Sequence, residues 1–132
     1  MEDTRIEKLD RGECLRLLGS VPLGRVAFTS QALPSVQPVT FALHDGKVVF
    51  RTVTGSTLHA ALRNTIVAFQ ADEYDVCNRT GWSVTAVGTA RVVTDRARVD
   101  ELARLPLQPW ASGHREHFVT VTIEILHGRR IP

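Results

Sequence analysis

Lysine is nearly missing from this chain of 132 residues: Lys8 and Lys47 are the only two, and arginine carries the rest of the positive charge. The net charge is only +2. So small a surplus offers no electrostatic case for nucleic acid, which is held largely through phosphate neutralisation. Aromatic residues make up 6% and methionine occurs once. Cys14 and Cys77 are the only cysteines, too few for a disulfide framework. Both thiols are expected to be reduced and the chain cytoplasmic. Cys14 reads as a packing residue and Cys77 as an exposed loop thiol. No apolar run is long enough to span a bilayer, and Met1 to Leu9 is charged where a signal peptide would be apolar. Neither a membrane nor a nucleic acid is therefore expected as a partner. Glycine-rich nucleotide loops, a GxSxG elbow and CxxC pairs are all absent from the sequence. His114 and His117 have HxxH spacing, but no third ligand stands nearby, and no metal is expected.

Enough remains to build a core. Apolar residues are 43% of the chain and mean hydropathy is −0.04, a balance suited to one globular domain. Without repeats or linkers, residues 1–132 read as a single domain, with 1–8 a flexible arm.

Asp10, with Glu13 three residues on, forms a capping box for a short helix carrying Leu15, Leu17 and Leu18 and ending at Gly19. Alternating patterns then predict strands over Arg25–Ser30, Val36–Leu43, Lys47–Thr52, Ile66–Ala71, Trp82–Val93 and Phe118–Ile125, with Gly128–Ile131 extending the last past a bend. Asp45-Gly46 marks a tight hairpin. Gln31–Pro34 reads as a turn and Asp72–Thr80 as a polar loop. Thr54-Gly55-Ser56 turns into a second helix over Leu58–Arg63, with Ser56 its N-cap. Asp95 caps a third, carrying Val99, Leu102 and Leu105 and broken by Pro106 and Pro109. The chain is thus mainly β, with six strands and short connecting helices that suit a closed or partly closed barrel better than an open sandwich. Pro38, inside a strand, implies an edge, a bulge or a local loss of pairing.

One stretch suggests a site. A strand ends in Arg51-Thr52 and passes through Gly55 to the start of a helix at Ser56-Thr57. Free N–H groups at a helix start favour phosphate, and Arg51, Thr52, Ser56 and Thr57 would add donors. An ordinary capped helix beside a solvated arginine fits the same residues. Among the histidines, His44 reads as solvated, His59 as packing or phosphate-facing, and His127 as able to approach a partner subunit.

Leu23-Gly24-Arg25-Val26-Ala27, Gln37-Pro38-Val39, Asp45-Gly46, Phe50-Arg51-Thr52, Gly55-Ser56, Gly81-Trp82-Ser83-Val84 with Gly88, and Gly128-Arg129-Arg130-Ile131 together resemble the pyridoxamine 5′-phosphate oxidase-like, FMN-binding split-barrel family. The likeness runs from about Leu9 to Ile131 and is closest to the short actinobacterial-type members. The resemblance implies a six-stranded antiparallel Greek-key split β-barrel, a homodimer with FMN at the subunit interface, and an oxidoreductase acting on a small organic molecule. It places Gln37, Pro38, Val39 and Thr40 beside the flavin ring, Arg51, Thr52, Ser56 and Thr57 at the phosphate, and Trp82 and Ser83 on the other subunit's cofactor. Position 57 departs from the pattern, because relatives commonly carry lysine there. That departure leaves open the deazaflavin F420 in place of FMN. A flavin- or haem-binding protein without catalysis, with His127 the candidate axial ligand, is the further alternative. No catalytic side chain stands out.

Overall fold

A computed structural model describes residues 6–53, 55–107 and 116–132. In chain order the elements are β1 (Glu7–Leu9), α1 (Arg11–Leu18), β2 (Leu23–Ser30), β3 (Leu33–His44), β4 (Lys47–Val53), α2 (Thr57–Ala61), β5 (Thr65–Asp75), β6 (Thr80–Val92), α3 (Arg96–Leu102) and β7 (Glu116–Ile131). Thr54, Pro109 and His114, and residues 1–5 of the expected arm, lie outside the described residues.

The strands form one antiparallel sheet in the order β1-β7-β4-β3-β2-β5-β6, and β6 pairs back onto β7 to close it. Six strands therefore make the expected ring, a split β-barrel, and closure covers most of the edge that so small a sheet would expose. β7 is long enough to serve two neighbours. Its first part pairs with β4, and its length from Val119 to Ile131 pairs with β6. β1 adds a seventh strand on the edge of β7. Glu7 and Lys8, expected in a loose arm, pair with Arg130 and Arg129.

Tight turns set the register. The β2–β3 hairpin turns on Gln31 and Ala32 and the β3–β4 hairpin on Asp45 and Gly46, all four with positive φ. Two left-handed residues in succession give the turn whose twist matches a hairpin. Each helix starts as its sequence indicates. The side chains of Asp10, Ser56 and Asp95 accept hydrogen bonds from the backbone N–H groups of Glu13, His59 and Arg98. α2 ends at Ala61, earlier than expected.

Alternation separates two apolar clusters across the same strands. Val48 and Phe50 point into the barrel with Val26, Phe69, Val84, Val119 and Val121. Val49 and Phe118 point outward and are covered by Leu102 of α3 and by Leu107. Gly24 faces the Phe69 ring so closely that no Cβ would fit there. The polar run Asp72–Asp75 belongs to β5, not to a loop, and pairs through to Thr80. Among the described residues, no helix is long and apolar enough to cross a membrane.

Candidate functional site

The barrel is split where β3 and β4 part. β3 pairs with β2 from Leu33 through Thr40, but with β4 only from Phe41 to His44. β4 continues to Val53, paired with β7. Among the described residues no strand pairs with the far edge of Leu33–Thr40. Pro38 stands on that stretch for a physical reason. The Phe41 N–H donates toward β2, to the Pro22 carbonyl at 3.0 Å. Backbone direction alternates along a strand, so residue 38 faces its nitrogen toward the open edge. A proline there removes no ladder bond.

The predicted residues divide between the two faces. Val39 is buried in the barrel core, whereas Pro38 is exposed and Thr40 half-buried on the outer face. Gln37 shares the parity of Val39 and is half-buried. Arg51 lies on the outer face with its guanidinium 4.8 Å from the Phe118 ring centroid. Thr52, the next residue, points inward, is 3% exposed, and places its hydroxyl 2.9 Å from His59 Nδ1. Ser56 Oγ accepts the His59 N–H at 3.0 Å. Thr57 is exposed. Within one chain the side chains of these four residues do not converge on one point. Arg51 and Thr52 face opposite ways by strand alternation, and the Ser56 hydroxyl caps its own helix. α2 spans five residues, too few to sum much of a dipole.

Trp82 and Ser83 lie near the start of β6, opposite Arg130 and Arg129 of β7. Two cavities, about 660 and 350 Å³, share Glu73, Tyr74, Gly81, Trp82 and Ile131 as walls. Arg51 pairs with Phe118 near the other end of β7. At roughly 3.3 Å per residue, about 40 Å of strand contour separates the two places. One chain does not bring Trp82 to Arg51.

Other polar clusters were less visible in the sequence. His44, expected to be solvated, places Nε2 2.6 Å from Glu101 Oε2, tying the β3–β4 hairpin to α3. This hydrogen bond holds the Glu101 carboxyl below its ordinary pKa. Arg25 donates to Gln70 at 2.9 Å on the outer face. The rings of His59 and His117 stack with centroids 4.5 Å apart. Burial, reinforced by His117 and Arg63, pushes the His59 pKa down. His117 shares the inward parity of Val119 and Val121, a signal present in the sequence. Its meeting with His59 depends on how α2 docks. His127 is exposed on β7, and Cys14 is buried while Cys77 is exposed.

Comparison with known proteins agrees with this architecture. The family model described as pyridoxamine 5′-phosphate oxidase matches residues 10–130. The Mycobacterium tuberculosis protein Rv0080 is 40% identical over 131 residues, covering 96% of this chain and 86% of that one. A solved FAD binding protein from Mycobacterium smegmatis is 38% identical with a TM-score of 0.81, covering 94% of this chain and 96% of its own. A putative pyridoxamine 5′-phosphate oxidase from Corynebacterium glutamicum superposes with a TM-score of 0.84 at 27% identity, covering 99% and 97%. The chain belongs to the pyridoxamine 5′-phosphate oxidase family.

Proposed function

We propose that this chain is a flavin-dependent oxidoreductase of the cytoplasm, working on a small organic substrate as a homodimer with cofactor sites shared between subunits. The observation that carries the reading is the open edge of β3 at Gln37–Thr40, with Arg51 on the outer face of the neighbouring strand. A strand edge that no described strand covers, beside a charged fork, suits a ring bearing amide and imide groups with a phosphate at its far end. Pro38 keeps one edge position free of a competing donor. Trp82 and Ser83 lie three strands away from that edge in the sheet and far along β7 from Arg51, so on this reading a two-fold partner supplies them. The flavin, once bound, supplies the hydride or electron transfer. The chain's own residues bind it, orient it and keep water away.

FMN is the leading cofactor, because Arg51 offers one charged fork for one phosphate. FAD is a second reading, favoured by the 38% identical solved relative described as an FAD binding protein. F420 is the third, suggested by the uncharged Thr57. The test is the visible spectrum of the purified protein, the mass of any cofactor released on denaturation, and the sedimentation of the holoprotein. A flavin spectrum, the mass of FMN and a dimer are expected. A mass of FAD or F420 reassigns the cofactor, and a Soret band replaces flavin with haem. Apo-protein that takes up none of these, or a monomer that binds flavin fully, overturns the proposal.

A further inference from the structure

A separate cavity of about 450 Å³ opens at the end of the barrel, between the C-terminal side of α2 and the strands β6 and β7. Its polar lining is His59, Arg63, Asn64, Thr94 and His117, with no carboxylate among the described residues. His59 and His117 belong to the inward-facing set with Thr52, whereas Arg51 and Pro38 face outward. The cavity thus lies on the other side of β4 from the edge assigned to the flavin.

The lining selects its ligand by charge. Arg63 is exposed and permanently cationic. The imidazoles of His59 and His117 stack at 4.5 Å with planes 32° apart. A metal ion is disfavoured beside a guanidinium, and no group of three ligating side chains exists among the described residues. Among the described residues an apolar guest would find only Leu62 and Val92. Thr52 occupies His59 Nδ1 at 2.9 Å, which leaves Nε2 as the ring's other polar atom. With the Thr52 hydroxyl donating, neutral His59 carries its proton on Nε2 and is a donor. Arg91 Nε donates to Asn64 Oδ1 at 3.2 Å, which fixes the amide and adds a second cation near the rim.

We propose that this cavity binds a free phosphate-type oxyanion, held between Arg63 and the paired imidazoles of His59 and His117. The inference stands apart from the flavin reading, since it uses other residues on the other face of β4. Proton uptake accompanies binding. Without an anion, burial, His117 and Arg63 disfavour a charged His59. The charged neighbours acting on it are Arg63 from its own helix and His117 from β7; Thr52 from β4 is uncharged, and no acidic group among the described residues contributes. A bound anion offsets this repulsion, so the ligand brings a proton with it.

The experiment follows the histidine ring signals by NMR while inorganic phosphate is added to cofactor-loaded protein. Saturable shifts at His59 and His117 are expected, with affinity weakening toward about tenfold per pH unit above the histidine pKa. Arg63→Gln should weaken binding about tenfold or more, and Arg63→Lys should keep part of it. Arg63 is exposed, so these variants fold. The same titration is run on protein loaded with FMN and with riboflavin. Equal phosphate affinity in both supports a free oxyanion. Binding seen only with riboflavin identifies the occupant as the cofactor's own phosphate and overturns the proposal. Absence of a saturable shift, or a shift unchanged by Arg63→Gln, overturns it as well.

Discussion

Gly88→Ala should be among the most damaging single-methyl additions to this protein. Gly88 lies at the register shift where β6 passes β7, the seam that closes the barrel. A Cβ there would overlap the Thr122 carbonyl oxygen, and would lie 2.7 Å from the Thr122 carbonyl carbon and 3.3 Å from Glu124 N. All three atoms are backbone of a paired strand, so no rotamer relieves the clash. The strands must separate locally from their usual spacing of about 4.8 Å. Two or three ladder hydrogen bonds at about 1 kcal/mol each would weaken. Loosened packing between Ala86 and Ala90 on one side and Val121 and Ile123 on the other adds roughly 1–2 kcal/mol. The expected loss is about 3–5 kcal/mol, a large part of the roughly 5–15 kcal/mol that holds a domain together. Urea unfolding of wild type and variant gives the difference directly, and the melting midpoint should fall by roughly 10–20 °C. Gly12→Ala is the control. Its Cβ meets only Asp10 Oδ1 at 3.6 Å within α1, so it should stabilise by about 0.5–1 kcal/mol. A Gly88→Ala protein within 1 kcal/mol of wild type would refute the reasoning about the seam.

Three further outcomes follow from particular residues. Arg16 first and Arg130 second hold the Glu13 carboxyl down from 4.5 to about 2, so its contribution is complete above pH 4.5 and lost as pH falls toward 2. Glu13→Gln should therefore flatten acid unfolding in that window; an unchanged acid limb would contradict the pairing. Pro38→Ala should change stability by less than about 1 kcal/mol, and its new amide should exchange rapidly in apo-protein. A protected amide would mean that the β3 edge is not open. Thr57→Lys should tighten FMN by up to about two decades if position 57 faces the phosphate, since it adds a charged donor. Calorimetry with FMN and F420 on both proteins checks this, and no change for either ligand would place Thr57 outside the site.

Much of this fold is local and so legible in the sequence. The caps at Asp10, Ser56 and Asp95 and the Asp45-Gly46 turn each act within a few residues. Strands with one buried face announce themselves by alternation, as Val119, Val121 and Ile123 do. Asp72–Asp75 did not, because exposed side chains carry no burial pattern and only pairing with β6 makes the segment a strand. β1 is similar, a three-residue strand held by β7. At the site, Pro38 signalled an edge, a bulge or lost pairing, and it stands on an edge. Arg51 and Thr52, grouped in the sequence, present their side chains on opposite faces of β4, as alternation against buried Phe50 already sets. His44–Glu101 and His59–His117 join segments far apart in the chain, and composition holds no trace of such contacts.

A mixed-dimer experiment tests the shared flavin site most directly. Arg51→Ala and Trp82→Ala homodimers should each bind FMN more weakly than wild type, by roughly 1.5–3 kcal/mol for the arginine. In a dimer with one chain of each kind, one site keeps both side chains intact and the other lacks both. Titration of mixed, re-equilibrated protein with FMN should then recover one wild-type site per mixed dimer. Mixed dimers that recover no tight site would contradict a cofactor held by Arg51 of one subunit and Trp82 of the other.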